Sequence, residues 1–277
     1  MASLHLRSIS WASRSHPLTV TIEEQLHKLK TSQSSSIGHK LAALKDLSEC
    51  IDEFLQLSLT QQTLSHEKQN QSVEATVNGS LGLLDMCQTT KEFFSQMRDC
   101  VQGLQLSLRK RKGGESGLIG IDSYMVSRKN LNKAIRKYQK HLKKQDKNRR
   151  ITTLANKSSL GDVVVTLKDF EEISVAVFES ILSFISKAKE QSKLSVVSKL
   201  LQPKHVSCEG EVEANEVEKV DAELQVLKSR KDINQMQNAL KGLEALGLSL
   251  QEAEEELDCV YRRLVKIRVS LLNILNH

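Results

Sequence analysis

The sequence predicts an all-α protein, an elongated antiparallel helical bundle with a disordered N-terminal tail. Only two prolines occur in 277 residues, Pro17 and Pro203, so no proline interrupts the stretch 18–202. Aromatic residues make up 4% of the chain, and leucine dominates the apolar positions. These apolar residues recur every third or fourth position, which is the spacing of one buried face of a helix. Together the three observations favour helices over sheets.

Residues 1–20 are predicted to form a disordered, basic tail. They contain five serines and no acidic residue. Ser8 and Ser10 are candidate phosphorylation sites, because Arg7 precedes Ser10 by three residues, and a phosphate would add a charge of about −2. The same composition resembles a transit peptide, so organelle targeting by this segment stays open as an alternative.

The body of the bundle is predicted over residues 21–202. The stretch 163–185 is the most apolar, so we expect it to be the central helix. Ser58 is predicted to cap a short connector, and small polar residues predict a loop near 145–160. The predicted helical stretches are 22–29, 37–55, 60–64, 70–109, 124–142 and 163–185, with a helical tail to about residue 201.

The C-terminal part is predicted to contain a linker, 203–215, and a helical pair, 216–277, that packs on the body. The heptad pattern slips between Leu227 and Met236, so a long coiled coil is not expected. Gly247 is predicted to separate two helices, with Ser249 as the cap of the second.

Charge is unevenly distributed along the chain, whose formal net charge is +6. Residues 98–150 contain 16 Lys and Arg against 4 Asp and Glu, a net charge of +12. Residues 209–260 contain 5 basic against 14 acidic residues, a net charge of −9. The chain therefore combines a basic middle with an acidic C-terminal region.

The basic middle is predicted to be an amphipathic helix. Tyr124, Leu131, Ile135, Tyr138 and Leu142 lie at helical spacing, and cations occupy the rest of the surface. This indicates a candidate patch for an anionic partner or a membrane surface. Its predicted members are Arg109, Lys110, Arg111, Lys112, Lys129, Lys133, Arg136, Lys137, Lys140, Lys143 and Lys144.

Three interpretations of this patch are open. The first is a solvated helix face, partly neutralised by the acidic region 209–260. The second is a surface for an anionic membrane or an acidic partner, because each cation near an anionic leaflet contributes about 1 kcal/mol. The third, a nucleic-acid surface, is the least favoured, because the sequence does not indicate a fold that presents side chains to base edges.

Recognisable catalytic chemistry is missing from the sequence. No phosphate-binding glycine loop ending in lysine occurs, and His66-Glu67 lacks the second histidine of a zinc protease. The five cysteines are widely spaced without metal-ligand spacing, which predicts free thiols in a reducing compartment. We therefore expect a non-enzyme without a cofactor, cytoplasmic and without a transmembrane segment, although membrane association stays open.

Several blocks resemble a plant-specific family named after BYPASS proteins, a domain of unknown function. They are spread over almost the whole chain, with modest departures at Ser48, Ser58 and Asn78. The matching blocks are His5-Leu-Arg-Ser-Ile-Ser10, Ser13-Arg-Ser-His-Pro17, Glu23-Glu-Gln-Leu26, the stretch 44–64, Asn78-Gly-Ser-Leu81, Leu83-Leu-Asp-Met-Cys87, the stretch 107–113, Ser127-Arg-Lys129 and the stretch 268–277.

The resemblance implies an all-helical plant protein without a catalytic residue set. It links the chain to root and shoot development, through restraint of a mobile root-derived signal. The expected function is thus a non-enzymatic developmental regulator or scaffold with unknown protein partners. The alternatives are a peripheral membrane-associated regulator that uses the basic helix face, and an unrecognised enzyme of the mobile-signal pathway.

Overall fold

The computed structural model describes residues 16–31, 36–67, 69–110, 116–154, 161–186, 215–229 and 233–276. Within these ranges all regular secondary structure is helical, which confirms the predicted all-α class. The helices of the described ranges are α1 Pro17–Thr31, α2 Ile37–Gln56, α3 Ser58–His66, α4 Gln71–Arg109, α5 Ser116–Leu154, α6 Asp162–Ser186, α7 Glu216–Ser229 and α8 Ile233–Asn276.

The first helix begins at Pro17, a few residues before the predicted end of the tail at residue 20. Proline suits this first helical position, because its missing N–H would have no helical partner there. The next free N–H groups are satisfied by His16: Leu18 N donates to its Nδ1 (3.2 Å), and Thr19 N donates to its carbonyl (3.0 Å). Residues 1–15, with Ser8 and Ser10, lie outside the described part of the chain.

The predicted cap at Ser58 is wrong. Leu57, in an extended conformation, alone separates α2 from α3, and it occupies the cap position without a side-chain hydrogen bond. Ser58 is therefore already the first residue of α3. A cap forms instead at the start of α2, where Ser36 Oγ accepts from the backbone N–H of His39 at 3.3 Å.

Two predicted interruptions are also wrong. The loop expected near 145–160 does not begin at residue 145, because α5 continues to Leu154 through lysines, arginines and glutamine, which have high helix propensity. Residues 155–160 lie outside the described ranges. Gly247 does not break α8, since a single interior glycine costs only about 1 kcal/mol. The buried residues Leu243, Leu246 and Leu250 continue one apolar stripe across it. The predicted slip of the heptad pattern between Leu227 and Met236, in contrast, coincides with the change from α7 to α8.

The chain divides into two compact units, each assembled from separated segments. Unit 1 comprises the described residues within 1–95, 138–182 and 251–277, and unit 2 comprises those within 96–137 and 183–250. The α8 helix contributes residues to both units. The predicted body, linker and C-terminal pair stay a prediction. Long helices pair in space across large sequence separations, so a change of composition along the chain need not coincide with a unit boundary. Residues 203–214 of the predicted linker lie outside the described ranges.

Within unit 1, α2 and the C-terminal part of α8 run parallel. Lys45 Nζ lies 3.0 Å from Glu256 Oε2, and Arg263 Nη2 lies 2.7 Å from Glu49 Oε1, so residue numbers rise together along both helices. Short loops impose an antiparallel arrangement only on helices that are adjacent in the chain. Because α2 and α8 are far apart in sequence, they are free of this constraint.

The α4 helix, in contrast, runs antiparallel to the same part of α8. Arg268 Nη1 donates to the carbonyl of Val77 at 2.8 Å, and Cys87 Sγ donates to the carbonyl of Leu257 at 3.6 Å. Residue numbers therefore fall along α8 as they rise along α4. The predicted C-terminal helix thus contacts α2 on one side and α4 on the other.

Unit 2 includes α7, which begins with two reciprocal hydrogen bonds. Asn215 Oδ1 accepts from the backbone N–H of Glu218 (2.8 Å), and Glu218 Oε2 accepts from the N–H of Asn215 (3.3 Å). This capping box satisfies backbone donors at the helix start. Asn215 Nδ2 also donates to the carbonyl of Phe184 at 3.1 Å, which holds the start of α7 against the end of α6.

Candidate anion-binding face of α5 and the buried ion pair on its opposite side

The buried side of α5 carries the predicted apolar stripe and one arginine. Tyr124, Leu131, Ile135 and Leu142 are buried, and Tyr138 is half-buried. Arg128 lies in the same stripe and is only 2% exposed. A buried arginine requires a counter-charge and hydrogen-bond acceptors, because desolvation of a charged group is costly.

Asp221 of α7 supplies both. Its Oδ2 accepts from Arg128 Nε at 3.2 Å, and its Oδ1 accepts from the Tyr124 hydroxyl at 2.8 Å. Arg128 Nη1 donates to Asn132 Oδ1, while the buried Nη2 has no partner. These contacts lie within unit 2 and join α5 to α7.

Burial dominates the electrostatics of this network. It raises the pKa of the Asp221 carboxyl above its ordinary value of 3.8, and the charge of Arg128 and the hydrogen bond from Tyr124 oppose that shift. Burial likewise raises the pKa of Tyr124 well above its ordinary value of 10.0. The tyrosine therefore acts as a hydrogen-bond donor at any physiological pH.

The raised pKa of Asp221 predicts a pH dependence of stability. The folded protein holds this proton more tightly than the unfolded chain, so the contribution of Asp221 to stability falls as the pH rises from about 3.8 through the folded pKa. Asp221→Asn has no proton to lose in that window. We therefore expect the difference in unfolding free energy between wild type and Asp221→Asn to shrink with rising pH, measured by urea unfolding. A difference that grows would show that Arg128 outweighs burial.

The opposite side of α5 carries seven of the eleven predicted patch residues. We call them the basic face: Lys129, Lys133, Arg136, Lys137, Lys140, Lys143 and Lys144. All seven are exposed. With 3.6 residues per turn they fall within an arc of about 120°, and with a rise of 1.5 Å per residue they extend over about 22 Å of the helix.

The described acidic residues of 209–260 that form ion pairs do so with cations outside the basic face. Asp221 contacts Arg128, Glu244 contacts Arg109, Glu256 contacts Lys45 and Asp258 contacts Lys91. Among the residues that the structure describes, no carboxylate lies within ion-pairing distance of a basic-face side chain. Neutralisation by residues 209–214 and 230–232 stays a prediction, because these residues lie outside the described ranges.

Of the four remaining predicted patch residues, two are described, and these lie outside α5. Arg109 and Lys110 are exposed at the end of α4, and Arg109 is paired with Glu244. Arg111 and Lys112 lie outside the described part of the chain. The described members of the predicted patch thus lie at the end of α4 and on α5, and those on α5 share one side of that helix.

The described thiols and acids do not converge as a metal site. Cys50, Cys87, Cys100 and Cys259 are free, and burial raises the pKa of Cys87 to about 12. Burial also raises the pKa values of Cys50 and Cys100, so these thiols are held in the protonated, weakly nucleophilic form. In the described ranges no three His, Cys, Asp or Glu side chains converge as metal ligands would.

A shallow polar cleft lies in unit 1 and has a volume of about 190 Å³. Several of its lining groups are already hydrogen-bonded: Gln56 Nε2 donates to Ser270 Oγ (3.1 Å), and Ser65 Oγ donates to the carbonyl of Ile274 (3.1 Å). Amides and hydroxyls line the cleft, so its lining supplies hydrogen bonds but no acid or base.

These features define an all-helical protein whose α5 carries a buried ion pair on one side and a basic face on the other. The family model described as Protein BPS1 matches residues 40–274. The chain therefore belongs to the BPS1 family, which confirms the family predicted from the sequence blocks. No curated protein and no solved structure matches the sequence. None of the described helices combines the length and the hydropathy that a bilayer crossing requires.

Proposed function

We propose that this chain is a non-enzymatic scaffold that recruits an anionic partner through the basic face of α5. The observation that carries the proposal is the set of seven exposed cations on one side of one helix, without a described carboxylate in ion-pairing range. Such a surface creates a positive potential that attracts anionic partners and accelerates their association.

The seven cations of the basic face do not stabilise the α5 helix itself. Like charges spaced by four residues destabilise a helix by about 0.2–0.5 kcal/mol per pair. The basic face contains four such pairs: Lys129–Lys133, Lys133–Lys137, Arg136–Lys140 and Lys140–Lys144. The cost in helix stability in the free protein therefore supports the proposal, because an anionic partner would supply the missing counter-charge.

The biological setting of the proposal comes from the family resemblance. It supports a role in root and shoot development, in which the scaffold restrains a mobile root-derived signal by holding an anionic partner. The raised thiol pKa values favour binding over nucleophilic catalysis.

Proximity labelling in root tissue tests this proposal. The basic-face variant carries Lys133→Glu, Lys137→Glu and Lys140→Glu. Its matched control, Lys28→Glu with Lys241→Glu and Lys266→Glu, makes the same change of charge at exposed lysines of α1 and α8. We expect the basic-face variant to lose partners that wild type and control both label. The proposal is contradicted if all three proteins label the same partners.

A further inference from the structure

The face of α5 that carries the cations continues into two exposed apolar side chains. Ile119 is 70% exposed and Val126 is 60% exposed. Ile119, Val126, Lys133 and Lys140 follow one another at intervals of seven residues, so they share one face of the helix. Both apolar residues belong to unit 2, as do the basic-face residues up to Lys137.

One acidic residue lies on this face between the two apolar side chains. Asp122 Oδ1 is 2.5 Å from Lys228 Nζ of α7, so its charge is balanced locally. On this exposed face the next charged groups are the cations that begin at Lys129, since Arg128 lies on the buried side of the helix. The face is therefore apolar with a balanced ion pair at its N-terminal end and strongly positive towards its C-terminal end.

We propose that this face of α5 docks on an anionic lipid bilayer, with Ile119 and Val126 inserted at the headgroup boundary and the basic face on the lipid phosphates. This inference rests on the proposed function and names its partner. A bilayer offers both kinds of contact on one flat surface, negative charge outside and hydrocarbon below. A nucleic-acid backbone would match the cations, but its phosphates leave the exposed isoleucine and valine without an apolar partner.

The geometry also suits a flat partner. Residues 119–144 form one uninterrupted helical stretch, about 38 Å long at 1.5 Å per residue. Within unit 2, the exposed side chains of the face from Ile119 to Lys137 lie on one side of this rod, so they can reach a planar surface together. Lys and Arg additionally place aliphatic stems at the boundary while their charges remain at the headgroups.

Vesicle co-sedimentation with the full chain tests the proposal. We expect binding to phosphatidylcholine vesicles that contain phosphatidylserine, and much weaker binding to phosphatidylcholine alone. Lys133→Glu with Lys137→Glu and Lys140→Glu is expected to weaken binding at least about a hundredfold. The charge-matched control Lys28→Glu with Lys241→Glu and Lys266→Glu should bind like wild type.

A second pair of variants tests the insertion of the apolar residues. Ile119→Ser with Val126→Ser is expected to weaken vesicle binding about tenfold. The matched control changes Val226 and Leu248, which are 48% and 62% exposed on other helices of unit 2, to serine and should leave binding unchanged. In a Trp11→Phe background, the fluorescence of Ile119→Trp should shift to shorter wavelength when the vesicles are added.

Each result decides the proposal. The lipid proposal is overturned if the wild-type protein does not bind anionic vesicles. It is also overturned if the Ile119→Trp emission does not shift and the serine variant binds vesicles as wild type does. If vesicles are not bound while the basic-face variant still loses its partners in root tissue, the lipid inference is wrong and the scaffold proposal stands. If binding to an acidic polypeptide or to nucleic acid replaces vesicle binding, the partner is of that class instead.

Discussion

Replacing Asp221 with alanine is expected to lower the free energy of unfolding by about 3–5 kcal/mol. The substitution leaves the buried Arg128 without its counter-charge and removes the acceptor of the Tyr124 hydroxyl. Urea unfolding followed by circular dichroism measures the loss. The control is Glu223→Ala, an exposed change on the same helix, which should alter stability by less than about 0.5 kcal/mol.

A triple replacement tests whether these buried positions need the ion pair or only apolar volume. Tyr124→Phe, Arg128→Met and Asp221→Leu together remove the charges and the hydroxyl while keeping apolar volume. Because burial outweighs the attraction to Arg128 at Asp221, we expect the triple variant to recover most of the stability lost by Asp221→Ala. A loss below about 1 kcal/mol in the single variant would contradict the buried ion pair.

Phe178→Ala is expected to destabilise the protein by about 3–5 kcal/mol. Phe178 lies in α6 of unit 1 and is fully buried, so its removal takes away apolar contacts and leaves a cavity. Val165→Ala is the matched control, since Val165 lies on the same helix and is 42% exposed. Equal effects of the two substitutions, measured by chemical denaturation, would show that α6 is not the core helix that its stripe predicts.

The apolar spacing predicted the helices well because burial of one face dominates their stability. Leu44, Leu47 and Ile51 of α2 are buried as their spacing requires, and the apolar stretch 163–185 is one helix, α6. The predicted breaks were less reliable. A single glycine such as Gly247 costs only about 1 kcal/mol inside a helix, and the polar run 145–154 contains lysine, arginine and glutamine, whose helix propensity is high.

The buried ion pair was missed, although the sequence contains a signal for it. Arg128 lies four residues after Tyr124 and three before Leu131, so the stripe itself places a charge on the buried side. Asp221 lies three residues before Leu224 on the stripe of α7. Opposite charges at buried positions of two helices indicate a pair, but only the structure shows which helices meet. The parallel contact of α2 with α8 was unpredictable for the same reason.

The sequence predicted a basic patch, and the structure showed which of its residues share one face of α5. Sequence charge grouped Arg109 with the lysines of α5, whereas in the structure Arg109 lies at the end of α4 and pairs with Glu244. The apolar continuation of the face at Ile119 and Val126 was missed, because apolar residues in a helical pattern are normally interpreted as core. Their exposure became visible only in the fold.

Lysine acetylation of the full chain, followed by mass spectrometry, tests most directly whether the basic face is free. Lys129, Lys133, Lys137, Lys140, Lys143 and Lys144 should react as fast as the exposed Lys28 and Lys266, and faster than the paired Lys45 and Lys91. The claim of a free basic face is contradicted if the six lysines react slowly, and react fast only after the acidic residues of 209–214 and 230–232 are changed to neutral ones. The same chain would then supply the counter-charge, and no external partner would be needed.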